Sequence, residues 1–301
     1  MDRVRRTGFV TIDGHRHLIR LSEPDPSSVG HGVDAPLYAI LPGLTEAADG
    51  ITRHLHDAAA SVHPDRRVLT IATDGVSVHG DSLPFGEALN HPFAGMALAR
   101  QRLLTHLAGP KAPVILLGRS MGSVLATLTA GQNLLATSKF SLAGIQLLSP
   151  GVVAVDVPAH EAFRSPLESF PARVGALTRF LGHVGADLCR EAPRHPVEAI
   201  EALGSIAALG VACALDANRA AAMGGNLRQL MGGVPWASIK SVAAAYKVAV
   251  LTGSRDSVGE VKQWQTLQKL YPNNVSLRVL AGKGHIMSLD ALAMVRLFAV
   301  Q

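Results

Sequence analysis

A chain of 301 residues with 48% hydrophobic and 17% charged residues can bury a large core, which excludes a disordered chain. The formal charge of +5, from 28 Lys and Arg against 23 Asp and Glu, is spread without a basic stripe interleaved with aromatics, so no nucleic-acid partner is expected. Two cysteines, Cys189 and Cys213, exclude a disulfide framework and a cysteine-built metal centre.

Read in chain order, Gly8–Ile12 and Leu18–Leu21 form an opening antiparallel hairpin around Asp13-Gly14, a turn dipeptide. Pro36–Leu41 is a short apolar strand that ends in Pro42-Gly43. A helix is predicted over Glu46–Ser61 and a buried strand over Arg67–Thr73, followed by a loop from Asp74 to Ser82. His91–Leu107 reads as helix, Pro113–Leu117 as strand, Met121–Leu135 as a small-residue helix and Leu142–Leu148 as strand. Strand and helix in alternation predict an α/β fold, with a mostly parallel sheet covered on both faces.

From Gly151 to Ala245 no strand is evident, and Ala172–His183, Val197–Leu215 and Asp216–Met231 read as helices. This stretch is expected to be a helical cap of residues 151–245, inserted after the sixth strand into a core of residues 1–150 and 246–301. Its run Ala202–Leu215 is apolar nearly all round, which predicts a buried helix; a role in lining an acyl pocket is the alternative. Strand Lys247–Leu251, helix Glu260–Leu270, strand Val275–Leu280 and helix Ser288–Ala299 complete the chain. The N-terminal Arg3, Arg5 and Arg6 are followed by no apolar run of signal length, and Ala202–Leu215 is too short to span a bilayer. A cytoplasmic protein without stable membrane insertion is expected.

The chemistry concentrates in Gly118-Arg119-Ser120-Met121-Gly122, which joins a strand to a helix. A turn that tight leaves no room for side chains two residues before and after the serine, hence Gly118 and Gly122. It lifts the Ser120 hydroxyl above the sheet, at a helix N-terminus whose N–H groups favour a developing anion. A serine nucleophile needs a base. His285, in Ala281-Gly282-Lys283-Gly284-His285 after the last predicted strand, reaches the same sheet edge. Asp256, after strand Lys247–Leu251, is the expected acid, with Glu260 and Asp156 as alternatives. The order Ser, Asp, His is that of a nucleophile-elbow hydrolase. An oxyanion needs two backbone donors. The Met121 N–H is one, and the Leu44 N–H is the expected other, with Gly43 allowing close approach and the Thr45 hydroxyl at hand.

On these motifs, with Leu41-Pro42-Gly43-Leu44, Asp74 and His79-Gly80-Asp81-Ser82, the sequence resembles the α/β-hydrolase superfamily in its capped esterase and lipase branch. The resemblance implies an eight-stranded sheet and hydrolysis of a carboxylic ester or thioester with an apolar acyl part, through an acyl-serine. Acyl transfer to another acceptor, or ligand binding with little turnover, are the other activities of such a scaffold. The oxyanion loop carries Pro42-Gly43 where His-Gly is frequent, Arg119 stands where His is frequent, and the Asp74–Ser82 loop is longer than usual. No metal or organic cofactor is expected. His15 with His17 and His54 with His56 lack an evident third ligand, and there is no phosphate-loop lysine or dinucleotide fingerprint.

Overall fold

The computed structural model describes residues 3–24, 35–43, 51–72, 93–109, 111–150, 154–155, 185–217, 234–256, 261–286 and 290–299. The chain opens with strands β1 (Arg3–Ile12) and β2 (His15–Pro24), paired antiparallel from Arg3↔Pro24 to Ile12↔His15. Asp13 at φ 51° and Gly14 at φ 80° make the left-handed two-residue turn whose twist matches a hairpin. The strands are longer than their apolar cores predict. Most of β1 is exposed at the sheet edge, and Arg16 caps the half-exposed Phe9 ring at 3.7 Å.

Strands β3 (Leu37–Leu41), β4 (Arg67–Ile71), β5 (Pro113–Arg119) and β6 (Ser141–Leu148) follow, separated by helices α1 (Ile51–Val62), α2 (Phe93–Ala108) and α3 (Met121–Leu135). The C-terminal part holds β9 (Val248–Gly253), helix α7 (Val261–Leu270), β10 (Val275–Leu280) and helix α8 (Ala291–Ala299). Together these strands make an eight-stranded sheet in the order β1-β2-β4-β3-β5-β6-β9-β10. The pairs β1–β2 and β2–β4 are antiparallel and the others parallel. Strand β3 lies between β4 and β5, so successive connections leave it in opposite directions. The carboxyl ends of β3 and β5 therefore flank the point where the strand order reverses, the usual ligand position in such sheets.

All five residues of β3 and of β4 are buried, because helices cover both faces. On one face Leu37, Ala39, Leu116 and Val250 pack with Leu103 of α2, Val124 and Leu125 of α3, and Trp264 of α7. On the other, Tyr38, Ile40, Leu117 and Leu251 pack with Leu55 of α1 and Val295 and Phe298 of α8. The apolar period of two along each strand thus feeds two cores.

Between β6 and β9 lie a helix at residues 185–191 (α4), α5 (Pro196–Leu215) and α6 (Trp236–Ala245). The helices at 185–191 and Trp236–Ala245 were not among those expected, and two short strands were not visible in the sequence. Ala154–Val155 (β7) and Val234–Pro235 (β8) pair in parallel, bringing together the two ends of the inserted segment. Helix α6 buries Ile239, Val242 and Ala243 in the same core as α3. The expectation of a buried Ala202–Leu215 is corrected. Leu203, Val211 and Leu215 are exposed, because a uniformly apolar helix buries only the face that a neighbour covers. Ala172–His183 and residues 218–231, expected to be helical, lie outside the described residues. Among those described, no helix is long and apolar enough to cross a membrane.

Candidate active site

Strand β5 runs into α3 through a turn at Ser120, which holds φ 51° and ψ −121°, a conformation a non-glycine residue adopts only under constraint. Hydrogen bonds on both sides supply that constraint. The Ser120 N–H donates to the Leu148 carbonyl of β6 at 3.0 Å, the Ser123 N–H to the Ser120 carbonyl at 2.9 Å, and the Ser123 hydroxyl to the Gly118 carbonyl at 2.9 Å. A Cβ on Gly118 would meet the Gly122 carbonyl at 2.5 Å, and a Cβ on Gly122 would enter the backbone of Leu41 and Pro42. The two glycines therefore let β5, α3 and the end of β3 close on one another.

The structure brings together the three side chains expected from 120, 256 and 285. Ser120 Oγ lies 2.8 Å from His285 Nε2, and His285 Nδ1 lies 3.0 and 3.1 Å from the two Asp256 carboxylate oxygens. For the hydroxyl to donate to Nε2, the ring proton must sit on Nδ1, where the carboxylate accepts it. All three residues are buried, with exposures of 6%, 3% and 6% for Ser120, His285 and Asp256.

Asp256 and His285 sit on neighbouring turns that are laced together. The Ser254 N–H donates to the Leu280 carbonyl, the Arg255 N–H to the Lys283 carbonyl and the Gly282 N–H to the Ser254 hydroxyl, each at 2.9 Å. A Cβ on Gly253 would strike the Lys283 carbonyl. The Asp256 N–H turns back to the Gly253 carbonyl at 3.1 Å, and the Thr252 hydroxyl stands 3.5 Å from Asp256 Oδ2. The parallel pairing of β9 with β10 sets the spacing between Asp256 and His285.

Met121, fully buried, occupies the first position of α3, where a backbone N–H has no acceptor within the helix. Gly43 is buried at the end of the β3 loop. The other expected oxyanion donor, Leu44, with Thr45, lies outside the described residues, as do Asp74, His79, Gly80, Asp81, Ser82, Asp156 and Glu260.

Arg119, the residue before the serine, is buried. Burial lowers its pKa to about 10, and the negative charge of Asp256 works in the opposite direction. A positive charge thus lies within the field of Asp256.

Asp187 had no sequence signal at all. It stands 98 positions from His285, on α4, and its Oδ2 accepts the His285 backbone N–H at 2.6 Å. His54 and His56 have partners of other kinds. His56 spans the Ser22 hydroxyl at 2.7 Å and the Thr70 hydroxyl at 2.8 Å, while His54 faces Glu201. A cavity of about 420 Å³ opens at the opposite end of the sheet, lined by Ile115, Gln146, Ala249, Asn274 and Phe298, and no triad residue borders it.

The sequence matches no family model. It matches no curated protein either. The three-dimensional structure, in contrast, superposes on solved enzymes over nearly its whole length. The thioesterase domain from the curacin biosynthetic pathway aligns with a TM-score of 0.60 at 16% identity, covering 98% of this chain and 99% of that one. A carboxylesterase structure from the ammonia-oxidizing thaumarchaeon Nitrososphaera gargenis aligns at 0.61 with 13% identity, covering 97% and 96%. An esterase from Rhodococcus sp. ECU1013 aligns at 0.53 with 18% identity, covering 98% and 97%. The chain has the α/β-hydrolase fold. Ser120 sits in the tight turn that joins β5 to α3 of this fold.

Proposed function

We propose that the protein hydrolyses a carboxylic ester or thioester through an acyl-serine on Ser120. The observation that carries this reading is the chain of contacts from Ser120 Oγ to His285 Nε2 at 2.8 Å, and from His285 Nδ1 to Asp256 at 3.0 Å. Ser120 Oγ attacks the acyl carbon while its proton passes to Nε2. The carbonyl oxygen becomes an oxyanion, held by the Met121 N–H and, from the loop after β3, by the Leu44 N–H that Gly43 admits. The intermediate collapses as Nε2–H protonates the departing alkoxide or thiolate, leaving acyl-Ser120. Water then gives a proton to Nε2 and attacks the same carbon. The second intermediate expels Ser120 Oγ, which takes the proton back, and the acid leaves. Asp256 accepts the Nδ1–H throughout and stabilises the imidazolium.

The neighbours named as an esterase, carboxylesterases and a thioesterase support this reaction class. The core is assigned to residues 1–150 and 246–301 and the cap to residues 151–245, the last cap helix, α6, being packed into the core. The substrate is a small molecule with an apolar acyl part that enters from the cap side.

The direct test is a fluorophosphonate probe followed by peptide mass spectrometry. The expected result is stoichiometric modification at Ser120, absent in Ser120→Ala. A folded protein that leaves the probe unreacted would overturn the reading. A panel of p-nitrophenyl esters of rising chain length then locates the acyl preference, and rates that fall from the shortest ester onward would remove the apolar-acyl assignment.

A further inference from the structure

The base is held from two directions. Its ring is held by Asp256, but its backbone is held by a residue of the inserted segment. The His285 N–H donates to Asp187 Oδ2 at 2.6 Å, and Asp187 Oδ1 accepts from Arg190 at 2.9 Å. Asp187 is 5% exposed, although an ionised carboxylate is costly to bury without strong partners. A Cβ on Gly284 would fall on the Asp187 carboxylate, so the missing side chain there is what admits the carboxylate to the backbone. Two further contacts join the same surfaces. Lys283 Nζ meets Glu191 at 2.8 Å, and Ile286 packs with Leu188 and Ala199. The stretch from Lys283 to Ile286 that delivers the base is therefore seated on α4 and the start of α5.

We propose that Asp187 is a positioning residue for His285, and that seating of the inserted segment is a condition for a competent triad. This rests on the hydrolase reading of Ser120 and His285. The Asp187 carboxylate fixes the loop backbone through the N–H. The charged groups around the base are Asp256 from the β9 turn, Arg119 from β5, Asp187 with Arg190 and Glu191 from α4, and Lys283 on its own loop.

The test uses the full chain and the rate of fluorophosphonate labelling of Ser120 as a function of pH. Asp187→Ala removes the acceptor and is expected to slow labelling by about 10- to 100-fold, the scale of a displaced catalytic group. Asp187→Asn keeps an acceptor oxygen and removes the charge. It is expected to keep most of the plateau rate while changing the shape of the pH profile, a readout that loosened packing alone would not move. Glu201→Gln weakens a different tie, between α5 and Arg53 and His54 of α1, and is expected to leave both rate and profile unchanged. Melting curves report folding of every variant. If Asp187→Ala does not fold, the profile of Asp187→Asn decides. The proposal fails if folded Asp187 variants label like the wild type across the pH range. It also fails if Glu201→Gln slows labelling as much as Asp187→Ala, since looser docking would then suffice. A wild-type protein that does not label would overturn the hydrolase reading itself.

Discussion

Ser120 stores strain in its backbone. A non-glycine residue at φ 51° and ψ −121° costs of order 1–3 kcal/mol, and glycine escapes most of it while losing about 0.5–1 kcal/mol through its freer unfolded chain. Ser120→Gly is therefore expected to unfold at higher urea than Ser120→Ala, by about 1 kcal/mol in stability, while both lose at least about 10³-fold in ester hydrolysis. Equal urea midpoints for the two variants would show that the elbow is relaxed. Gly122 stands at the other limit. Its Cβ position is filled by the backbone of Leu41 and Pro42, which cannot rotate away as a side chain can. Gly122→Ala is expected to cost about 2–4 kcal/mol in urea unfolding and to lower activity with it, because the displaced loop is the one that carries Gly43.

At the scale of elements, α3 links the site to the core. Its N-terminus carries Met121 and its buried face packs on the sheet and on α6, with Leu125 fully buried. Leu125→Ala is expected to cost about 2–5 kcal/mol by urea unfolding, at the high end if the close-packed small residues around it cannot collapse into the space. The end of α1 gives a pH-dependent contribution. His63 stacks on Tyr38 with ring centroids 5.0 Å apart, and its pKa is lowered, first by burial and then by Arg66, against a smaller opposite effect of Asp65. The unfolded chain, with a histidine pKa near ~6.5, binds this proton more readily than the folded one. Stability contributed by the neutral ring is complete above that pH and is lost as pH falls through it. His63→Phe is expected to flatten the fall in unfolding free energy between pH 7 and pH 5. An unchanged slope would assign the acid sensitivity to other histidines.

For the whole molecule, two cores on either side of one sheet make the helical layers unequal. Among the described residues, one face is covered by α2, α3, α6 and α7 and the other by α1 and α8. Removing α8 by truncation after residue 289 uncovers Leu117, Leu148 and Leu251, which pack against Met294, Val295 and Phe298. The truncated chain is expected to be insoluble or to bind a hydrophobic dye, and a soluble, cooperatively melting product would refute this division of the core.

How much of this was legible follows from the range of each signal. Alternation of apolar strands with 3.6-period helices is local, so the sheet and its order of elements could be read, and Met121–Leu135 was delimited as found. The elbow was legible because Gly118, Ser120 and Gly122 meet a steric demand within five residues. The outer half of β1 was not, since an exposed edge strand such as Arg3–Gly8 carries no apolar alternation. Ala154–Val155 and Val234–Pro235 are too short to show any period. The sequence by itself determined the fold class and the three residues whose place follows from strand order. Tertiary structure alone decided that Asp187 reaches the His285 backbone, that Arg119 lies in the field of Asp256 and that the helix ending at Leu215 faces solvent. Those outcomes depend on which surfaces meet across many tens of residues, and neither propensity nor periodicity along the chain carries that information.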